Sequence, residues 1–361
     1  MRIKFTLTFF LFIALTLFFP SLHALKPRTK YFRSEAEADC YLTKHYNLGC
    51  KYYNNEEWRK ASSEFEKVIF YFPCNDAAAD ASYYLAVSYF KMNEYDFANE
   101  EFSNYLKASQ HPEFFEDAVA FKFCIAEHFK RGKKKHPFKM RYLPKWVSGQ
   151  DSALIIYDEV VAALPNHEMA IRALYSKGEL LSEMREYRDS VDAYQTIIRR
   201  FPKNEIVPAC YLKIADAYIQ QARLEFQNPD ILALAELNVR KFQNDFPRDE
   251  RVAIAEQSVR CIKEMYAKGL CDLGLFYERI HHPEAAAIYF QSSIEEFPDT
   301  RVAQFCRSRL MCLGFLQNAC DACCEASPSC EEHPISHDVD PCDIDVNSCD
   351  APFSSCNEDH F

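Results

Sequence analysis

Leu273-Gly274-Leu275-Phe276-Tyr277-Glu278-Arg279 is followed by His281-His282-Pro283, then Ala286, Phe290 and finally Phe297-Pro298. The same offsets recur near the other end of the chain, as Leu48-Gly49, Tyr52, Ala61, Phe65 and Phe72-Pro73. In both stretches the small and aromatic residues fall three, four or a multiple of four apart, which is the spacing of one helical face. A closing proline lacks a donor N–H and stops a helix. The residue before it is pushed out of α geometry. Each stretch therefore predicts two helices, A and B. The small residues (Gly49 or Gly274 on A, Ala61 or Ala286 on B) let their axes approach closely. The aromatic residue sixteen places after the glycine, Phe65 or Phe290, fills the space around that contact.

Working outward from these two copies, a second unit carries Leu85-Ala86, Tyr89, Ala98 and Phe102, and a fourth carries Gly178, Tyr194 and Pro202. Closing prolines stand at Pro73, Pro112, Pro165, Pro202, Pro247 and Pro298, spaced by 39, 53, 37, 45 and 51 residues. A unit of about 34 residues with variable additions matches the tetratricopeptide pattern. One such unit cannot bury its apolar face alone, so units must stack into an array with capped ends. The expected fold is all-α, a tetratricopeptide α-solenoid of five to six helix-turn-helix repeats. In the third unit, Glu113–Lys130 reads as helix A and Ser152–Leu164 as helix B, with an insertion between them. The fifth places Ala215 and Tyr218 on A and Ala235 on B, eight residues more than the standard gap. Glu250–Met265 runs on as helix into Ala267–Arg279, and Thr300–Gln317 reads as a capping helix.

Composition agrees with this reading and narrows it. Only 7 of 361 residues are glycine, against an average usage of roughly 7%. No Gly-rich phosphate loop occurs, so a nucleotide-binding or all-β architecture is disfavoured. The formal net charge is −11, yet residues 318–361 hold eleven acidic residues and no Lys or Arg. The body is near neutral, which argues against nucleic-acid binding through overall charge.

The two ends differ from the body. Arg2 and Lys4 precede Phe5–Phe19, an uncharged run, and then Leu22-His23-Ala24. This is the pattern of a secretory signal peptide over residues 1–24, with an uncleaved anchor as the alternative. The repeat domain is then expected over 25–317, followed by an acidic, Cys-rich tail over 318–361. The first cysteine is Cys40, too far downstream for a lipid anchor at the cleavage site.

An exported tetratricopeptide array with an insertion in a middle unit resembles the BamD family, also called ComL, of outer-membrane β-barrel assembly factors. Ala233–Arg309 carries most of the resemblance: Asp245-Phe246-Pro247-Arg248-Asp249, then Gly274-Leu275-Phe276-Tyr277-Glu278-Arg279, then Glu296-Phe297-Pro298-Asp299-Thr300. Asn47–Pro112 is similar to the family's first two repeats. The resemblance implies a periplasmic, non-enzymatic scaffold associated peripherally with the outer membrane. Its N-terminal repeats would bind unfolded outer-membrane proteins, and its C-terminal repeats would dock on the barrel-insertase subunit. The missing lipid-anchor cysteine, the extra unit and the Cys-rich tail depart from the family pattern. A general periplasmic adaptor for cell-wall or constriction machinery, and a disulfide-cross-linked structural envelope protein, are the competing readings.

Three sets of candidate residues follow. Helix-A positions facing the concave side give Thr43, Tyr46, Cys50, Tyr53 and Asn54 in the first unit, and Asp80, Tyr83, Val87, Phe90 and Lys91 in the second. Tyr46, Tyr53, Asn54, Tyr83, Phe90 and Lys91 would form an aromatic peptide-binding groove, since large amphipathic rings anchor interfaces. The competing reading is that the rings pack on neighbouring helices. The insertion (residues 130–151) holds eight cations within residues 130–145. Arg131, Lys133, Lys134, Lys135, Lys139, Arg141, Lys145 and the adjacent Trp146 would face an anionic membrane surface, an acidic partner, the acidic tail of the same chain, or simply solvent. The tail cysteines Cys320, Cys323, Cys324, Cys330, Cys342, Cys349 and Cys356 read as disulfide candidates in an oxidising compartment; seven is odd, so one thiol must pair elsewhere, with another chain among the choices, or stay free. Metal binding and a disordered tail are the rivals. The other nine cysteines, Cys124 and Cys210 among them, read mostly as small core residues. No nucleophile–base set, H-E-x-x-H or G-x-S-x-G occurs, and no cofactor, resident metal or nucleic-acid partner is expected. His281-His282 reads as a solvated turn.

Overall fold

The closing Phe-Pro steps end helices with one shared geometry. Phe72, Leu164, Phe201, Phe246 and Phe297 all sit at φ between −128° and −135° and ψ between 50° and 65°. Each takes its helix out of α geometry immediately before a proline. The computed structural model describes residues 32–73, 75–108, 112–225 and 227–316. The expected signal peptide and the tail, with its seven cysteines, lie outside the described residues.

Among the described residues the chain forms thirteen α-helices. They pair as α1 (Glu35–Asn54) with α2 (Trp58–Tyr71), α3 (Asp76–Lys91) with α4 (Tyr95–Ala108), and α5 (Phe115–Lys130) followed after the insertion by α6 (Gln150–Ala163). Then come α7 (Glu168–Glu183) with α8 (Tyr187–Arg200), α9 (Val207–Leu224) with α10 (Pro229–Asp245), α11 (Val252–Arg279) with α12 (Pro283–Glu296), and a closing α13 (Arg301–Cys312). Among the described residues the fold is all-α, a tetratricopeptide-like α-solenoid of six helix pairs and a closing helix. The insertion contains two two-residue strands, Lys134–Lys135 and Val147–Ser148, and a 3-10 turn at Pro137–Lys139.

In four repeats the turn between helices A and B is built without glycine. Glu56, Asn93, Arg185 and His281 each have φ near +60°, and each stands seven residues after Gly49, Ala86, Gly178 or Gly274. A left-handed residue after a helix lets the chain reverse while the last carbonyls still find donors. His281, read as a turn residue, occupies this position, and His282 caps α12. In the fifth unit the extra residues lengthen the helix rather than the loop: α9 runs 18 residues to Leu224.

The described residues form two compact units. The first comprises the described residues up to Ile125 together with Lys134–Val147. Its core joins Phe65, Val68, Leu85, Ala86, Phe102 and Tyr105, all buried. The second comprises Ala126–Lys133 and the described residues from Ser148 onward. Its main core runs through Leu174, Tyr194, Ile214, Tyr218, Ile262, Leu270, Phe290 and Leu310. The unit boundary falls within α5. No described helix is long and apolar enough to cross a membrane.

Candidate functional site

In the first unit, α1 and α3 bring a set of tyrosines together. Tyr84 lies at the centre: its ring stacks on Phe65 at 5.6 Å and meets Tyr53 edge-on at 5.1 Å. Tyr53 also meets Trp58 at 5.4 Å. Tyr46 packs its edge on Phe65 at 6.2 Å. Tyr46, Tyr53 and Tyr84 remain half-buried, so each offers part of its side chain to the surface. Burial is the main reason the phenol of Tyr46 and the thiol of Cys50 titrate above their usual ranges.

The sequence-predicted groove is corrected here. Tyr83 is only 8% exposed. Its ring stacks on Phe114 at 4.5 Å and touches Tyr105 at 5.4 Å, so the following repeat covers it. Val87 is buried as well. Phe90 is half-buried between Tyr95 and Phe121. Asn54 and Lys91 are exposed at the C-terminal ends of α1 and α3. Tyr84, one residue beyond the predicted register, is the half-buried tyrosine of this cluster that sequence reasoning missed. The adjacent tyrosine pair in the sequence was the available signal.

Asp80 stands beside these rings. Its carboxyl is held above the usual carboxylate range, first by burial and then by the like charges of Glu113 and Asp76. Among the described residues Asp80 has no ion-pair partner. The surface is thus aromatic, hydroxyl-bearing and mildly acidic.

The insertion is built differently from its sequence reading. Two of its cations, Arg141 and Lys145, are drawn onto the helices beneath, and a third, Lys139, pairs at the solvated surface. Arg141 donates from Nη1 to Glu66 Oε1 at 2.8 Å and to Tyr89 Oη at 3.2 Å, with its guanidinium 4.8 Å from the Tyr89 ring centre. Lys145 Nζ lies 3.0 Å from Glu94 and donates to Asn93 O at 2.7 Å. Lys139 Nζ lies 3.0 Å from Glu100. At their centre His136 is buried. Its backbone N–H donates to Asp96 Oδ2 at 3.0 Å, and its Nδ1 lies 2.8 Å from the same oxygen. The Nε2 atom lies 3.5 Å from Glu94 Oε2. Ligand-type atoms of Glu94, Asp96 and His136 lie within 4.8 Å of one another. Lys145 already supplies a cation on the Glu94 side, so the set works as an ion-paired clasp.

The remaining predicted insertion residues face outward. Lys133 and Lys134 are exposed, and Lys135 is half-buried. Arg131 is exposed, with Nη2 4.0 Å from Glu127. Trp146 is 59% exposed. Cys210 is buried, as expected of a small core residue, whereas Cys124 is exposed, which corrects its reading as core. The tail cysteines fall outside the described residues.

Residues 172–204 match the family model described as tetratricopeptide repeat, which corresponds to α7 and α8. No curated protein matches the chain. Several solved structures are similar to it. The MamA protein shares 15% identity over 59% of this chain and 94% of its own, with a TM-score of 0.32. A tetratricopeptide repeat protein from Parabacteroides merdae shares 12% identity over 76% and 99%, with a TM-score of 0.32. Pseudomonas aeruginosa PilF shares 14% over 75% and 98%, with a TM-score of 0.27.

Proposed function

We propose that this protein is a non-enzymatic scaffold of outer-membrane β-barrel protein assembly, exported to the periplasm and peripherally associated with the outer membrane. A tetratricopeptide solenoid is a protein-interaction fold; the finer reading rests on the sequence resemblance and on one surface. That surface is the half-buried cluster Tyr46, Tyr53 and Tyr84 beside the unpaired Asp80. Rings of this kind give large contact area at low entropic cost, and their hydroxyls take up backbone hydrogen bonds. The occupant that suits them is an extended, aromatic-bearing segment of an unfolded outer-membrane protein. On α11, Leu273, Phe276 and Ile280 are exposed on one helical face, a surface suited to the insertase subunit.

Affinity purification from envelope fractions tests the reading. Recovery of the insertase subunit is the expected result. Recovery of cell-wall enzymes instead would replace it with a general periplasmic adaptor, and reductant-sensitive multimers without either would favour a structural role.

A further inference from the structure

Residues 137–146 place four large apolar side chains outside the core within ten positions: Phe138 at 85% exposure, Tyr142 at 78%, Trp146 at 59%, and Met140. It holds Phe138 and Tyr142, the two most exposed large apolar residues among the described residues. It is held in shape. Phe138 and Lys139 both have left-handed backbones, φ 53° and 55°, a conformation sparsely populated by residues with side chains. Such a conformation persists only where the surroundings impose it. The His136–Asp96 contacts on one side and the Arg141–Glu66 and Lys145–Glu94 pairs on the other supply that imposition. Tyr142 is tied to Met140 through a hydroxyl-to-sulfur contact of 2.8 Å.

The charge distribution says what the group faces. From Lys130 to Val147 the sequence contains no Asp or Glu. The carboxylates that pair with Arg141 and Lys145 and accept from His136 come from the helices beneath: Glu66 on α2, Glu94 just before α4, and Asp96 on α4. The underside is compensated, while Lys134 and Lys139 stay exposed. Lys139 pairs with Glu100 where both side chains are largely solvated, so the pair holds it weakly. Phe138, Tyr142 and Trp146 interleave in sequence with Lys134, Lys139 and Lys145, and exposed aromatic rings alternating with lysines are the residue types that sit at a bilayer's headgroup level.

We propose that residues 137–146 are a membrane-interface anchor, seating Phe138, Tyr142 and Trp146 among the headgroups of an anionic phospholipid surface with Lys134 and Lys139 beside the phosphates. The anchor binds reversibly, as one apolar patch assisted by charge does.

The full chain has two tryptophans, Trp58 and Trp146, so a Trp58→Phe variant reports on Trp146 alone. Mixed phosphatidylcholine–phosphatidylglycerol vesicles should shift its emission to the blue and carry the protein down on sedimentation, and pure phosphatidylcholine should do so much less. Phe138→Ser with Tyr142→Ser should weaken sedimentation by about tenfold or more, and Lys134→Glu with Lys139→Glu should weaken it chiefly at low salt. Both pairs are surface positions, and an unchanged helical circular-dichroism signal confirms folding. No blue shift with anionic vesicles overturns the proposal. So does sedimentation indifferent to the Phe138 and Tyr142 changes, or a shift produced by a synthetic peptide of residues 318–361 and not by vesicles.

Discussion

A Cβ placed on Gly274 would lie 2.5 Å from Cε1 of Phe290, closer than such atoms ever stand. The same relationship joins Gly49 with Phe65 at 2.7 Å and Gly178 with Tyr194 at 2.7 Å. In each pair the ring of helix B lies against the bare backbone of helix A, which sets the distance between the axes. Gly274→Ala must therefore push a fully buried ring out of place. Overpacking of this kind costs about 1–3 kcal/mol, and the urea midpoint should fall accordingly. In the second repeat the equivalent positions are Ala86 and Phe102, both fully buried, so Ala86→Gly should lower stability by about 1–2 kcal/mol, through helix propensity and the loss of a buried methyl.

The buried clasp of the insertion makes a second prediction. Asp96 receives two contacts from His136, one from the backbone and one from the ring. Asp96→Ala leaves a buried N–H and ring nitrogen without their acceptor, at a cost of about 1–3 kcal/mol. The insertion should loosen before the solenoid does. Limited trypsin digestion should cut between Lys133 and Lys145 faster in the variant, while the thermal transition of the helices moves little. Equal cleavage rates in both proteins would show that the clasp does not hold the insertion.

A third prediction concerns acid. Glu179 on α7 accepts from Lys130 at 2.6 Å and Lys213 at 3.1 Å. Burial raises its carboxyl, but the hydrogen bond and charge of Lys130, then those of Lys213, outweigh it, and the net position is below the usual range. A carboxyl depressed on folding stabilises the native state above its unfolded pKa, about 4.3. That contribution disappears as pH falls through the lower folded value. Stability of the wild type should decline as pH falls from about 5 toward 3. Glu179→Gln should be destabilised by about 1–3 kcal/mol at neutral pH, and its denaturation midpoint should depend less on pH across that window.

Much of the fold was legible because its constraints are local. Gly49 and Phe65, or Gly274 and Phe290, lie sixteen residues apart in one helical pair, and Phe-Pro closes each unit where the chain must turn. The left-handed turn residues were not legible: Glu56, Arg185 and His281 are not residue types that announce positive φ, and only their shared offset from the small residue betrays them. The insertion was hidden for another reason. Its lysines and arginines look alike in sequence, but which of them turn inward depends on Glu66, Glu94 and Asp96, at least forty residues away. Tyr83 and Tyr84 differ only in which ring the next repeat covers, and that is decided by Phe114.

Binding at the tyrosine face tests the central claim most directly. A fluorescently labelled, extended peptide bearing alternating aromatic residues, taken from a β-strand of an outer-membrane barrel protein, would be titrated with the full chain and followed by anisotropy. The account predicts saturable binding that Tyr46→Ala with Tyr84→Ala weakens by about tenfold or more, roughly 1.4 kcal/mol, with helicity by circular dichroism unchanged. Absence of binding to the wild-type protein, or equal affinity for both proteins, would contradict it.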